Sequence, residues 1–235
     1  MRQFKDNWPW WRRLGALMQK TPRKAFRCFK GFPDLPYKTI VDLGACDGEF
    51  TDAVLAVMSP KRVVLIEADP MLVETLCKKY ADKKNCSIVH AAVTDHCALT
   101  PFQVNNYRGA SSLLSINNTA ETTFGKKVAK VEEIEVQAIS LDALFASEGL
   151  TEVDLLKVDI QGAEHLMIAG GKQALSQVKA LYIEVCFERF YDGSKTFEEL
   201  DHLLKEEGFK LRSFSEPMLG PDACLAYCNA LYLRI

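Results

Sequence analysis

The sequence predicts an α/β fold: a Rossmann-like domain with a mostly parallel central sheet and an antiparallel edge at its C-terminal end. From about Lys38 onward, short apolar runs alternate with amphipathic segments, as in parallel strands joined by crossover helices. A glycine turn follows the first of these runs, and the chain of 235 residues is long enough for one such domain.

Nine segments are predicted as strands. Five are rich in Val, Ile and Leu, as strands buried on both faces are: Thr39–Leu43, Arg62–Glu67, Ser87–Ala91, Val153–Asp159 and Leu181–Val185. The others are Leu99–Val104, Ile134–Ile139, Phe209–Phe214 and Ala230–Arg234. Because prolines and a glycine separate the last two, we expect them to form the antiparallel edge pair.

Four segments have the apolar spacing of helices. They are Phe50–Met58, Pro70–Tyr80, Gly162–Ala169 and Phe197–Glu207. The polar segment Asn105–Lys127 is predicted to be a long loop, and a loop of that length inside a compact domain is usually functional. It contains Arg108, Ser111 and Ser112, and we expect it to close over a ligand or to select it.

The first 30 residues are basic and aromatic. They contain nine Lys and Arg residues against one acid, Asp6, a net charge of about +8, so the remainder carries about −10. We therefore divide the chain into an arm, residues 1–37, and a domain, residues 38–235. Tryptophans among the cations fit peripheral contact of residues 1–30 with an anionic membrane, and a capping helix with a solvated basic face is the alternative.

Composition also excludes several classes of protein and of binding site. No stretch approaches the roughly 18 apolar residues of a membrane span, and the N-terminus lacks the apolar core of a secretory signal. We expect a cytoplasmic protein that lies at the inner face of the membrane if the arm binds lipid. The eight cysteines and four histidines form no disulfide framework and no cluster at ligand spacing, so no metal site is predicted. Nothing in the sequence indicates the oligomeric state.

The glycine turn reads Val41-Asp42-Leu43-Gly44-Ala45-Cys46-Asp47-Gly48. We expect Gly44 and Gly48 to let a ligand touch the backbone where the next helix begins. The middle glycine of a dinucleotide-binding Gly-x-Gly-x-x-Gly turn is missing, so no pyrophosphate is expected. Asp42 instead suits a ligand that carries positive charge, such as the amino-acid end of S-adenosylmethionine, either directly or through water.

The next two strands end in further candidate contacts. Glu67 follows the turn by about 20 residues, where a carboxylate accepts both hydroxyls of a ribose; an ordinary strand-end charge is the alternative. Ala91 and Ala92 leave room for adenine, and Asp95 either accepts from the adenine amine or caps a turn. The predicted S-adenosylmethionine site comprises Asp42, Gly44, Ala45, Gly48, Glu67, Ala68, Ala92 and Asp159.

A second motif, Leu156-Lys157-Val158-Asp159-Ile160-Gln161-Gly162-Ala163-Glu164, strengthens this interpretation. Through both motifs the chain resembles the FkbM family of methyltransferases, from about Lys38 to the C-terminus. The family pattern has glutamate where this chain has Gln161. The resemblance implies a class I methyltransferase fold and transfer of a methyl group to oxygen, often a sugar or polyketide hydroxyl. We therefore expect a saccharide or other small-molecule acceptor.

Methyl transfer to an alcohol needs alignment of the reacting atoms and a group that accepts a proton. Asp159, at the end of the fourth buried strand, is the first candidate for the base or for orienting the acceptor, and Glu184 is the second. Lys157 shares the face of Asp159 and is the third candidate. A capping or ion-pairing role is the alternative for Asp159, and Gln161 cannot serve as a general base.

Three other functions stay open. A nicotinamide-dependent oxidoreductase shares the sheet and the acidic ribose ligand, but its phosphate fingerprint is missing. A nucleic-acid methyltransferase would use the basic arm, but the chain lacks the Asn/Asp-Pro-Pro-aromatic motif and its body is acidic, so nucleic acid is disfavoured as a partner. A non-catalytic domain that keeps the fold is the third, because of Gln161.

Overall fold

The computed structural model describes Phe29, residues 31–124 and residues 128–235. The strands are β1 (Thr39–Leu43), β2 (Arg62–Glu67), β3 (Cys86–His90), β4 (Ala92–Thr94), β5 (Ala98–Asn105), β6 (Lys130–Ser140), β7 (Val153–Val158), β8 (Val178–Cys186), β9 (Phe209–Leu219) and β10 (Leu225–Arg234). The helices are α1 (Glu49–Val57), α2 (Pro70–Lys79), α3 (Asn118–Phe124), α4 (Leu141–Ser147), α5 (Glu164–Ala169), α6 (Lys172–Ser176) and α7 (Phe197–Glu206), and Arg108–Ala110 forms a 3-10 turn.

The main sheet has the strand order β3-β2-β1-β7-β8-β10-β9. Its first five strands are parallel, whereas β10 runs antiparallel to β8 and to β9. The predicted mostly parallel sheet with an antiparallel C-terminal edge is therefore confirmed. The chain order reverses at β1, which lies between β2 and β7, and open α/β sheets bind ligands at the carboxyl ends of the strands at such a point.

The central strands form because their side chains are apolar on both faces, and helices cover both sides. All six residues of β7 are buried, as are all but the first residue of β1 and of β2. Asp69 begins α2 by accepting a hydrogen bond from the Met71 amide at 2.9 Å, and Pro70 follows it in the first helical position. These features fix the position of the carboxyl end of β2.

The structure adds elements that the sequence pattern did not indicate. The predicted loop Asn105–Lys127 contains the 3-10 turn and α3, and α4 and α6 were missed because each spans only about two turns. A second sheet, in the order β4-β6-β5, lies beside the main one. The predicted strand Val153–Asp159 ends one residue earlier, which leaves Asp159 in the turn after β7.

Part of the predicted arm packs on the domain. Phe29, Phe32 and Tyr37 are buried, and the Phe32 ring centroid lies 5.2 Å from that of Tyr182 in β8. Residues 1–28 and 30, with the proposed membrane contact, lie outside the described residues. Within the described chain, no helix is long and apolar enough to cross a membrane.

Candidate active site

A crevice opens at the carboxyl ends of the parallel strands, beside β1. It consists of a larger cavity of about 910 Å³ and a smaller one of about 70 Å³. The larger volume is within the usual range for small-molecule sites, about 300–1,000 Å³. Five residues line both cavities, which makes them parts of one site: Gly44, Cys46, Gly109, Asp159 and Gln161.

The two glycines of the β1 turn serve chain packing. Gly44 has φ +70°, and a Cβ atom there would lie 1.8 Å from the carbonyl oxygen of Asp159. Gly48 has φ +83°, and a Cβ atom would lie 2.4 Å from the Tyr80 hydroxyl. Gly48 lines neither cavity, so the expectation that it makes room for a ligand is corrected, whereas the same expectation for Gly44 stays a prediction. Gly44 lets the ends of β1 and β7 approach and lines the crevice, whereas Gly48 packs on Tyr80; Ala45 lines the larger cavity.

Asp42 is fully buried beneath the turn. Its Oδ2 accepts a hydrogen bond from the Thr51 hydroxyl at 2.7 Å, and Lys157 Nζ lies 3.2 Å from Oδ1. Asp42 lines neither cavity and its carboxylate is held by these two protein groups, so a direct contact with a ligand is corrected, whereas a contact through water stays a prediction. Asp42 therefore stabilises the turn that lies above it.

Lys157 connects Asp42 to the backbone of the glycine turn. Its ammonium donates to the backbone oxygens of Leu43 at 3.2 Å and Gly44 at 2.6 Å. Burial disfavours its charge, but Asp42, Asp159 and the more distant Glu67 outweigh burial and raise the pKa of Lys157. Lys157 therefore stays charged and fixes the backbone around Gly44.

Glu67 faces the smaller cavity from the end of β2. Its Oε1 accepts from the amides of Ala68 at 2.8 Å and Asp69 at 2.9 Å, and its Oε2 accepts from the amide of Cys46 at 2.8 Å. Burial raises the pKa of Glu67 although these three N–H groups oppose the shift. A carboxylate has about four acceptor positions, so Glu67 keeps capacity for a ligand hydroxyl.

The smaller cavity has apolar walls. Ala68, Ala91 and Ala92 line it, together with Phe102 of β5, which the sequence pattern did not single out. Asp95 does not line either cavity: its side chain is 45% exposed, and its Oδ1 lies 2.7 Å from His96 Nδ1. The suggested contact of Asp95 with adenine is therefore corrected, because Asp95 points to the surface.

Asp159, Gln161 and Glu184 meet in the crevice. Gln161 Nε2 donates to Asp159 Oδ1 at 2.5 Å and to Glu184 Oε2 at 3.2 Å. The Tyr191 hydroxyl donates to Gln161 Oε1 at 2.7 Å, which fixes the direction of the amide. The structure thus brings together the predicted candidates Asp159 and Glu184, with Lys157 Nζ 3.9 Å from Asp159 Oδ2. Sequence reasoning missed Tyr191, which comes 30 residues after Gln161.

Two carboxyl groups of this cluster have raised pKa values. Burial, then the nearby charges of Asp159 and Glu164, raise the pKa of Glu184 well above its usual range. Burial also raises the pKa of Glu164 to about 7, although its Oε1 accepts from the amides of Ile160 and Gly162, both at 3.2 Å. In the described part of the chain, no group of three or more His, Cys, Asp or Glu residues is placed to hold a metal ion.

The 3-10 turn Arg108–Ala110 lies over the crevice and is held on both sides. Arg108 donates to the fully buried carboxylate of Asp69, next to Glu67. On the other side, the Tyr191 hydroxyl lies 3.0 Å from the Ala110 carbonyl oxygen, and the Ser112 hydroxyl donates to the Gln161 carbonyl oxygen at 2.7 Å. This covering segment, residues 105–112, thus connects the two cavities' walls.

A family model described as the methyltransferase FkbM domain matches residues 42–211, which is more than half of the chain. The chain belongs to the FkbM methyltransferase family. It is therefore an S-adenosylmethionine-dependent methyltransferase, as its glycine turn, acidic strand end and second motif indicated.

Relatives of this FkbM methyltransferase are distant. It is 23% identical over 186 residues to the 2-O-methyltransferase NoeI of Sinorhizobium fredii, covering 77% of this chain and 76% of NoeI. A solved structure of methyltransferase FkbM from Methylobacillus flagellatus has a TM-score of 0.50 at 16% identity; the match covers 84% of this chain and 44% of that one, so this chain spans less than half of its length. Fibrillarin from Methanococcus jannaschii has a TM-score of 0.52 at 14% identity, with 91% and 75% covered. These structures share the fold.

Gln161 gives the FkbM methyltransferase site its particular arrangement. The amide has two N–H groups and uses one for each of two carboxylates, Asp159 and Glu184. A glutamate, as in the family pattern, would put a third carboxylate against them without a donor. Gln161 therefore holds two acidic groups together around one neutral amide.

Proposed function

We propose that this methyltransferase transfers the methyl group of S-adenosylmethionine to a hydroxyl oxygen of a saccharide or another small-molecule acceptor. One observation carries the proposal: two carboxylates, Glu67 and Asp159, line the crevice on either side of Gly44. In such a pair, one carboxylate can bind the ribose of a ligand, and the other can act at the reacting end of the same ligand.

The cofactor would bind across the switch point of the sheet. Glu67 accepts a ribose hydroxyl, and adenine lies among Ala68, Ala92 and Phe102. From the ribose the ligand extends over Gly44 and Ala45 toward Asp159, because the two cavities join there. Bound S-adenosylmethionine supplies a methyl group that is attached to a sulfonium sulfur. After transfer, the sulfur group leaves as a neutral thioether.

Asp159 then acts on the acceptor. The acceptor oxygen forms a bond to the methyl carbon as the carbon–sulfur bond breaks, the bonding electrons stay on sulfur, and the hydroxyl proton passes to Asp159. Gln161 orients that carboxylate, and Lys157 Nζ lies 3.9 Å from its Oδ2. Positioning of this kind and a general base, the latter typically contributing about 10²–10⁴-fold, are the main demands of the reaction.

The larger cavity suits a hydroxyl-rich acceptor. Phe50, Tyr182 and Tyr227 supply ring surfaces, and Glu184 and Asn229 supply polar groups. NoeI is a 2-O-methyltransferase, which supports oxygen as the atom that is methylated.

Calorimetric titration with S-adenosylhomocysteine tests the cofactor site. We expect saturable binding by the wild-type protein and a loss of about tenfold or more in Glu67→Gln, since a carboxylate acceptor is replaced. Glu74→Gln, an exposed position on α2, is the matched control. Absence of binding by the wild type, or tight binding of NAD instead, would contradict the proposal.

Transfer of labelled methyl groups to a panel of saccharides and simple alcohols tests the reaction. Asp159→Asn should still bind S-adenosylhomocysteine but lose at least about 100-fold in turnover, because the amide cannot accept the proton. Full turnover in Asp159→Asn would remove Asp159 as the base.

A further inference from the structure

Glu216 lies at an irregular point of β9, beside the larger cavity. In β10, Tyr227 pairs with Met218 and Asn229 pairs with Ser215, so β9 has one extra residue in this interval. Glu216 has φ +54°, a left-handed conformation that residues other than glycine rarely adopt. Bulges next to active sites often re-aim a side chain, and strained backbone is concentrated at binding sites.

The bulge turns the Glu216 carboxylate toward polar groups of the neighbouring strands. Its Oε2 accepts from the Tyr182 hydroxyl at 3.2 Å and from Asn229 Nδ2 at 3.4 Å. Among residues 31–124 and 128–235, no Lys or Arg side chain lies within ion-pair distance of Glu216, in contrast to Asp69 or Asp154. Its negative charge is thus held by neutral donors and faces the cavity.

Among the described residues, the charged side chains that line the larger cavity are mostly acidic. They are Asp47, Glu49, Asp159, Glu184 and Glu216, against one basic residue, Lys157. Lys157 is already engaged by Asp42 and by two backbone oxygens. Walls of one charge sign concentrate ligands of the opposite sign, so the cavity favours a cationic acceptor over an anionic one.

Glu216 is also close to the reacting end of the site. Asn229 pairs across β10 with Glu184 on one side and with Ser215 on the other. Side chains directly opposite one another on neighbouring strands lie about 5 Å apart, so Glu184 and the bulge that holds Glu216 are separated by two strand spacings, roughly 10 Å. An acceptor with two polar groups can contact both ends of this wall.

We propose that Glu216 is a specificity-determining residue that binds a protonated amine of the acceptor, which makes the acceptor an amino sugar or another amino alcohol. The inference rests on the proposed function, because it takes the larger cavity as the acceptor site. Glu216 binds the ammonium group while a hydroxyl on the same molecule lies at Asp159.

The test uses three sugar probes on the full chain saturated with S-adenosylhomocysteine: D-glucosamine, D-glucose and D-glucuronate. Saturation-transfer NMR titrations give their affinities. We expect glucosamine to bind about tenfold more tightly than glucose, and glucuronate more weakly than either, since a charge-assisted hydrogen bond is formed only with the amine. Glu216→Gln should remove the preference for glucosamine.

Two further variants separate binding from folding. Glu216→Gly should lose the preference while its unfolding temperature stays equal or rises, because glycine adopts φ +54° without strain. Asp222→Asn removes an exposed carboxylate from the turn between β9 and β10, outside the cavity, and should keep the preference.

Equal affinity for glucosamine and glucose, or an unchanged preference in Glu216→Gln, would overturn the inference. Absence of glucosamine binding to protein that binds S-adenosylhomocysteine would do the same and leave the proposed function standing. If S-adenosylhomocysteine itself does not bind, the proposed function fails and this inference fails with it.

Discussion

Arg108 and Asp69 form an ion pair that joins the covering segment to the end of β2. The carboxylate of Asp69 is fully buried, whereas the Arg108 side chain is 33% exposed. The smaller cavity beneath it, about 70 Å³, is narrower than the sites that usually enclose small molecules, about 300–1,000 Å³. The proposed binding of adenosine here would therefore require the covering segment to shift or the cavity to widen.

Arg108→Ala should accelerate the dissociation of S-adenosylhomocysteine by about tenfold, because the segment loses its attachment to the end of β2. Leaving Asp69 buried without its cation should also cost about 1–3 kcal/mol of unfolding free energy. Stopped-flow displacement and urea unfolding measure the two effects. Arg189→Ala removes an exposed pair with Glu199 and should change neither by much; an unchanged dissociation rate in Arg108→Ala would argue against a covering role.

Gly44→Ala should destabilise the protein by about 3 kcal/mol or more, since the new Cβ atom would collide with the backbone of Asp159. Gly149 also has a positive φ, +60°, but nothing lies within 4 Å of its Cβ position. Gly149→Ala should therefore lower the free energy of unfolding only by the conformational strain, about 1–2 kcal/mol. Equal losses in chemical denaturation would mean that contact with Asp159 is unimportant.

The residues at strand ends were predictable because parallel strands bring their carboxyl ends to one edge. Glu67 and Asp159 could be placed in the crevice from the order of apolar runs alone. Asp42 looked equivalent in sequence, but Thr51 and Lys157 engage it below the surface. Burial of that kind depends on the packing of α1 and on the register of β7 against β1, which the pattern of a single strand does not report.

Other parts of the site depend on contacts distant in sequence. Tyr191 reaches Gln161 from the segment after β8, and Glu216 faces the cavity because of a bulge in β9. Neither residue has a local motif. The short helices α3 and α6 were missed for a related reason, since tertiary contacts and not helical periodicity stabilise segments of that length.

Gln161→Glu should destabilise the protein by about 1–3 kcal/mol at pH 8, because it puts a third carboxylate against Asp159 and Glu184. At pH 4.5 the loss should be smaller, since a protonated carboxyl group again donates a hydrogen bond. Urea unfolding at both pH values measures this, with Gln173→Glu on the exposed face of α6 as the control. A loss that is independent of pH would contradict the charge explanation.

Glu164 should make the stability of the wild-type protein depend on pH. Burial raises the folded-state pKa of Glu164 to about 7, above the usual value of 4.5. The contribution of Glu164 to the free energy of unfolding is therefore fully present below pH 4.5 and is lost as pH rises through about 7. Glu164→Gln keeps the oxygen that accepts from Ile160 and Gly162 but does not titrate. Between pH 4 and 8 the variant should therefore gain about 3 kcal/mol relative to wild type in unfolding free energy. Parallel profiles of the two proteins over this interval would show that Glu164 titrates normally.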